Sequence, residues 1–239
     1  MWQPSLPPPD AIADRRLGEP VTDHRSSFVR RLATERGDVF LKTYEYPTWG
    51  ARIRNFGRRT GPFARSRAAR EFDALAWMVQ HDLPAPSPIA AFEWRRFGFL
   101  HRATLVTAGF PGDDAAALLP TLPAADRAEL AQAIGALVGR LHQLGFRDGN
   151  LDLRNLIARR EAHGFVVAKI DSPRHRFRAA GAGHDRWIEA DWQRLSPQLE
   201  PFVPAALARQ AAANVTPPPA TGDRPASPPV PARRRAARR

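Results

Sequence analysis

Apolar residues cluster in two short β-like runs near the start of the chain, Ser27 to Thr34 and Val39 to Tyr44. Their length and residue types predict strands, and the Arg36-Gly37-Asp38 turn between them predicts an antiparallel hairpin. The pattern then changes. Phe72, Leu75, Ala76 and Val79 recur at helical spacing, and Ser66 stands where a cap belongs. A helix from Ser66 to about His81 follows, ended by the proline-rich Leu83 to Pro88. Two further strands are expected, Ile89 to Glu93 and Phe99 to Thr107.

The second half opens on a long stripe. Leu130, Ile134, Leu137, Leu141 and Leu144 repeat at steps of four and three, which predicts a helix over Ala124 to Leu144 closed by Gly145. A polar loop, FRDGNLDLRN, comes next. Two short strands, Leu156 to Ala158 and Phe165 to Ile170, turn through Gly164, and a last helical piece covers Asp185 to Leu195. The elements imply an α+β chain: strands with one helix, then a long helix, a polar loop, a small hairpin and helix again.

Composition narrows the class. The chain has 239 residues, enough for one large domain or two lobes. It has no cysteine, which excludes disulfides, thiolate chemistry and Cys-based zinc sites. No run of about 18 apolar residues exists, so no transmembrane helix is expected. MWQPSLPPPD lacks the basic and apolar regions of a signal peptide. The net charge of +12 favours polyanionic partners. The bases are 34 arginines and two lysines, Lys42 and Lys169, a skew that makes each lysine informative. Seven of the arginines lie in residues 49–70, interleaved with Trp49, Phe56 and Phe63, and six lie in the proline-rich end from Pro217. Residues 1–20 and 206–239 are expected to be disordered or extended ends.

Chemistry concentrates in the polar loop. Asn155 and Asp171, sixteen residues apart at the ends of neighbouring short strands, could share one hard cation such as magnesium through oxygen ligands; two loops capping their own backbones is the equal alternative. Lys42 in VFLKTY either snorkels from an edge strand or points into a cleft. Glu71 stands beside an apolar stripe, where an acid usually marks the boundary of a helix face.

These residues carry a resemblance. The segments VFLK (Val39 to Lys42), AAREFDAL with Glu71, LPAPSPIA, LHQLGFRDGNLDLRNLIA (Leu141 to Ala158) and AKIDSPRHR (Ala168 to Arg176) together resemble the bacterial lipopolysaccharide kinase family, which phosphorylates Kdo and heptose sugars. The resemblance implies a protein-kinase-like two-lobed fold, a β-rich N-lobe with one helix over 21–108 and a small, mainly helical C-lobe over 109–205. It implies that Lys42 reaches the phosphates of ATP and pairs with Glu71, and that Asn155 and Asp171 hold magnesium. Phosphoryl transfer needs charge neutralisation and in-line positioning more than covalent help, which suits these residue types.

The sequence departs from the family pattern in two places. Five before Asn155, where the catalytic aspartate belongs, stands Asn150, and the histidine position is Asp148. An asparagine takes no proton at neutral pH. Asp148 and Asp152 flank it, and either could orient the acceptor hydroxyl. The nucleotide loop has no glycine; Ser26 and Ser27 are its candidate phosphate donors. Asp191, in DWQRL, either bonds the loop backbone from below or is an ordinary surface acid.

The expected activity is ATP-dependent phosphorylation of a sugar hydroxyl on the lipopolysaccharide inner core or a related anionic glycolipid. A catalytically impaired, pseudokinase-like scaffold is the alternative. The basic loop, the aromatics and the tail read either as a docking surface for an anionic glycolipid with peripheral contact to the anionic inner-membrane surface, or as a plain solvated face; the chain is expected to be a cytoplasmic monomer. Nucleic-acid binding through the tail ranks last, because no nucleic-acid module is present.

Overall fold

The computed structural model describes residues 7–35, 37–46, 48, 50, 64–178 and 186–216. They fall into two compact units. One comprises the described residues up to Trp77 with Pro86–Gly109, the other Met78–Ala85 with the described residues from Phe110 onward.

The first unit is built on an antiparallel sheet of β1 (Glu19–His24), β2 (Ser27–Thr34), β3 (Gly37–Glu45), β4 (Pro88–Arg96) and β5 (Phe99–Ala108), in the order β1-β2-β3-β5-β4. The predicted hairpin forms with Ser27 opposite Tyr44 and Thr34 opposite Gly37. Lys42 lies opposite Val29 on one side and Leu105 on the other. It is therefore on a central strand, which removes the edge-strand reading. Val39, Leu41 and Thr43 are buried on one face of β3, and Phe40, Lys42 and Tyr44 alternate to the other.

The helix that carries Glu71 starts where the sequence says. Ser66 Oγ accepts the N–H of Ala69 at 3.0 Å, and the helix runs Arg67–Gln80. Glu93 on β4 accepts the Ser66 N–H at 3.1 Å, tying the helix start to the sheet. Phe72, Leu75 and Ala76 are buried as expected, but Val79 is 41% exposed and Met78 fills the core instead.

The N-terminal end differs from its expectation. Pro9–Ile12 is a short helix, α1, so the Arg67–Gln80 helix is α2. Ile12 is 1% exposed and packs with Val39, Leu41, Phe92 and Val106. Residues 7–20 are thus part of the first unit. β1 escaped prediction because every residue of it is exposed and no apolar alternation marks it. Backbone pairing to β2 holds it, with a bulge between Pro20 and Thr22, where an edge strand tolerates proline. Arg15 clamps it further, reaching Asp23, Glu45 and the carbonyls of His24 and Arg25. Of the arginine-rich residues 49–70, 49 and 51–63 lie outside the described residues.

In the second unit, β6 (Asp113–Asp114) and α3 (Ala115–Leu118) lead to the long helix α4 (Ala124–Gln143). Leu130, Ile134, Leu137 and Leu141 are buried, as the stripe predicts; Leu144 caps the end half-buried. Gly145 then takes φ +83, and a Cβ there would lie 2.2 Å from the Arg178 carbonyl oxygen, so only glycine suits the exit. β7 (Phe146–Arg147) follows, then a 3-10 turn at Leu153–Asn155, and the hairpin of β8 (Leu156–Glu161) and β9 (Gly164–Lys169). β6 joins that hairpin's sheet, and β10 (Arg176–Phe177) pairs with β7.

The last predicted helix is longer than expected. α5 spans Arg186–Leu199 and tolerates Pro197, with Leu195 and Leu199 fully buried; Asp185 lies outside the described residues. A further helix, α6 (Ala205–Ala213), corrects the expectation that disorder begins at residue 206. Its alanines favour helix but draw no large apolar stripe. It packs on α4 through small residues: a Cβ on Gly135 would lie 2.1 Å from the Ala208 carbonyl oxygen. The proline- and arginine-rich stretch from Pro217 lies outside the described residues.

Candidate active site

Within the first unit, Lys42 and Glu71 meet. Lys42 Nζ donates to Glu71 Oε1 at 3.0 Å, and Tyr44 Oη donates to Glu71 Oε2 at 2.9 Å. Glu71 is buried, so both carboxylate oxygens are fixed, and they in turn fix the lysine. The Lys42 side chain keeps 23% of its exposure, far more than its partner Glu71. Tyr44 was not singled out by sequence. Its signal is strand alternation: two residues after Lys42, it shares the lysine's face.

Ser26 and Ser27 end the turn between β1 and β2, where His24 pairs with Ser27. The Ser26 carbonyl accepts the Glu45 N–H at 2.9 Å. The two-residue turn holds its shape without glycine because Arg15 and Glu45 occupy its carbonyls.

In the second unit the polar loop is braced from α5. Asp191 is 2% exposed; its Oδ1 accepts the Gly149 N–H at 2.9 Å and its Oδ2 the Asp148 N–H at 3.2 Å. His142 Nε2 lies 3.1 Å from the same Oδ2. Of the two readings of Asp191, the loop brace is the one observed. Arg147 is buried and donates to the carbonyls of His142 and Phe146 at 2.7 and 3.0 Å, closing the loop's base.

Asp148 does not face an acceptor. It is 2% exposed and lies 3.2 Å from the ammonium of Lys169, which is itself fully buried. Burial pushes its carboxyl pKa up, against the pull of Lys169. Lys169 also donates to the Ile170 carbonyl, and its N–H reaches the Pro84 carbonyl at 3.2 Å. The second lysine therefore sits beneath the loop as the counter-charge to Asp148. The expectation that Asp148 orients a substrate hydroxyl is corrected: both oxygens are out of solvent.

Asp152 caps the 3-10 turn by accepting the Arg154 N–H at 3.1 Å and is gripped by the Arg154 guanidinium, with contacts of 3.0 Å to each oxygen. These bonds hold its pKa below the usual carboxylate range. Asn150 Nδ2 donates to Asp171 Oδ2 and to the Asp171 carbonyl, each at 3.1 Å. Asn155 Nδ2 donates to the Asn150 carbonyl at 3.1 Å, and the Asn155 carbonyl accepts the Ile170 N–H at 2.9 Å. Asn150 thus links Asn155 to Asp171. Asp171 takes φ +56, a left-handed conformation that an aspartate adopts more readily than a bulky residue.

The donor set suits magnesium. Asn155 spends its amide nitrogen on Asn150, which leaves its amide oxygen as the acceptor, and Asp171 adds a carboxylate. A hard cation that keeps several waters and substrate oxygens needs no more than this from the protein. Among the described residues no group of three or more His, Cys, Asp or Glu side chains could hold a metal, so a fully protein-caged ion has no site there.

Comparison with known proteins identifies the family. The lipopolysaccharide kinase (Kdo/WaaP) family matches residues 16–214. A 3-deoxy-D-manno-octulosonic acid kinase of Xanthomonas axonopodis pv. citri (strain 306) is 28% identical over 135 residues, 56% of this chain and 51% of that protein. The kinase of the same name from Xanthomonas oryzae pv. oryzae (strain PXO99A) matches to the same extent. The match spans about half the length of these relatives. The solved structure of WaaP in complex with acyl carrier protein shares the fold, with a TM-score of 0.58 and 15% identity, over 82% of this chain and 76% of that one. The chain belongs to the lipopolysaccharide kinase (Kdo/WaaP) family.

Proposed function

We propose that this chain transfers the γ-phosphoryl group of ATP to a hydroxyl of an inner-core lipopolysaccharide sugar, with 3-deoxy-D-manno-octulosonic acid as the favoured acceptor. The observation that carries the reading is the Asn150 bridge, which holds Asn155 and Asp171 together on a loop braced by Asp191. Asn155 and Asp171 would hold magnesium, which when bound neutralises the charge on the phosphates. Lys42, steadied by Glu71, would take the α- and β-phosphates, with Ser26 and Ser27 above them. Asn150 positions and takes no proton. Asp152 is the remaining acid of the loop. Gripped by Arg154, it is ionised at neutral pH and would orient the acceptor hydroxyl, which suffices for a loose transition state.

One observation favours a second reading, a catalytically impaired scaffold: Asn150 replaces the usual acid while Asp148 and Asp152 are both engaged by cations. A transfer assay separates the two. Purified protein, magnesium and γ-labelled ATP are incubated with a lipid A precursor bearing 3-deoxy-D-manno-octulosonic acid. The kinase reading expects label in the glycolipid, lost in Asp171→Ala. The scaffold reading expects none from the wild type. Among the described residues no helix is long and apolar enough to cross a membrane. Work on such a glycolipid would place the chain at the cytoplasmic face of the inner membrane, held there by its basic segments.

A further inference from the structure

Beyond Asp171 the chain reads Ser-Pro-Arg-His-Arg-Phe-Arg, so basic and aromatic residues alternate over 174–178. The structure sorts them by side. His175 stacks on Phe146 with ring centroids 5.4 Å apart and planes 6° from parallel. Phe177 meets both rings edge-on, at 5.8 and 5.2 Å. The aromatic side is thus pinned to β7, and the Arg178 N–H bonds the Gly145 carbonyl at 2.8 Å. The period of two sends Arg174, Arg176 and Arg178 the other way.

There a single indole gathers them. Arg176 and Arg178 lie 4.9 and 5.9 Å from the Trp187 ring centroid, and Arg186, the first residue of α5, lies 5.1 Å from it. Arg174 borders the polar loop: its Cβ is 3.7 Å from where a Cβ on Gly149 would stand. All four arginines are exposed, and among the described residues none of them pairs with an acid. Many other arginines have a carboxylate partner, among them Arg15, Arg30, Arg95, Arg102, Arg160 and Arg209; exposed Arg16 and Arg96 lie apart from the cluster, on the first unit. Cations crowded on one ring repel one another, and the face of an indole offsets only part of that. An anion there would relieve that repulsion, and guanidinium forks match a carboxylate or phosphate in shape.

We infer that Arg176, Arg178 and Arg186, organised by Trp187 and flanked by Arg174, form the subsite for the acceptor's anionic group, the carboxylate of a sugar acid. The inference rests on the kinase reading for its choice of acceptor. It adds residues that specify it. β10 pairs Arg176 with Arg147 and Phe177 with Phe146, immediately before the loop that bears Asn150 and Asn155, so the subsite is built onto the strand that leads into the site.

The test is direct binding without ATP. The methyl glycoside of 3-deoxy-D-manno-octulosonic acid and its methyl ester, which has no charge, are titrated by NMR against three proteins. These are the wild type, Arg176→Gln/Arg178→Gln, and a control of equal charge loss, Arg16→Gln/Arg96→Gln, at two exposed arginines of the first unit. The wild type should prefer the acid over the ester by about tenfold or more, as expected of a charge-assisted pair. The first variant should lose that preference and the control should keep it. Equal binding of acid and ester, an unchanged first variant, or equal losses in both variants overturns the subsite. Phosphate transfer is read separately. Binding with the expected pattern but no transfer from ATP by the wild type defeats the kinase reading and leaves the subsite. Transfer with an unchanged arginine variant does the reverse.

Discussion

Replacing Lys169 by methionine tests the buried pair beneath the loop. The change keeps the length of the side chain and removes its charge. Lys169 is fully buried and Asp148 2% exposed, 3.2 Å apart. At an effective dielectric near 20 their attraction is about 5 kcal/mol. Loss of one partner leaves the other buried and uncompensated, which costs about 3–5 kcal/mol in comparable pairs. The carboxyl of Asp148 already has a raised pKa because of burial, and Lys169 is the largest influence lowering it. Without the lysine it rises further. A carboxyl whose folded pKa is raised costs nothing below its unfolded value, about 3.9, and its cost grows as pH rises above that value. Urea unfolding at pH 8 should therefore show Lys169→Met less stable than the wild type by about 3–5 kcal/mol, and the gap should shrink toward pH 4. The double variant Lys169→Met/Asp148→Leu should recover most of the loss, because an apolar pair of similar volume needs no counter-charge. A single variant within about 1 kcal/mol of the wild type at pH 8, or an equal deficit at both pH values, would refute the reasoning.

Three further outcomes follow from the geometry. Gly135→Ala brings a methyl group to 2.1 Å from the Ala208 carbonyl oxygen and should cost about 1–3 kcal/mol in thermal unfolding, while an exposed Gly37→Ala, with nothing within 4 Å, should cost only its positive-φ strain. Arg154→Ala should lower stability by no more than about 1 kcal/mol at pH 7, since its side chain is 76% exposed. Because Arg154 holds the Asp152 pKa down, that difference is present above about pH 3.9 and should vanish as pH falls through the folded-state value, as measured by paired denaturation curves. Glu71→Gln weakens the hold on Lys42 and should raise the KM for ATP about tenfold in the transfer assay with little change in the KM for the acceptor.

Periodicity and caps made β2, β3, α2 and α4 legible, because each buries one face of a regular pattern and the Ser66 cap and Gly145 exit are local chemistry. β1 was not legible, since backbone pairing and the Arg15 clamp hold it, and neither leaves a mark in hydropathy. α6 was missed for a related reason: it docks through Gly135, Gly139, Ala208 and Ala212, whose small size is the feature that matters. Among the candidate residues, Lys42 and Glu71 of the first unit and Asn155 and Asp171 of the second stood out by residue type and order. Asp148 was misread because its partner, Lys169, comes 21 residues later in the chain, and an acid in a polar loop looks solvent-facing until that lysine is placed. The role of Asn150 required structure too. It reads as a lost base, yet its amide makes two bonds to Asp171 that an ionised aspartate could not donate.

The most direct test of the account is phosphate transfer by Asn150→Asp beside the wild type and Asp171→Ala, with magnesium, γ-labelled ATP and the 3-deoxy-D-manno-octulosonic acid glycolipid. The account predicts that the wild type labels the glycolipid, that Asp171→Ala does not, and that Asn150→Asp is slower than the wild type because it puts a second carboxylate where the amide bridged Asn155 and Asp171. A wild type that transfers nothing while Asn150→Asp gains activity would contradict it and show Asn150 to be a disabled base.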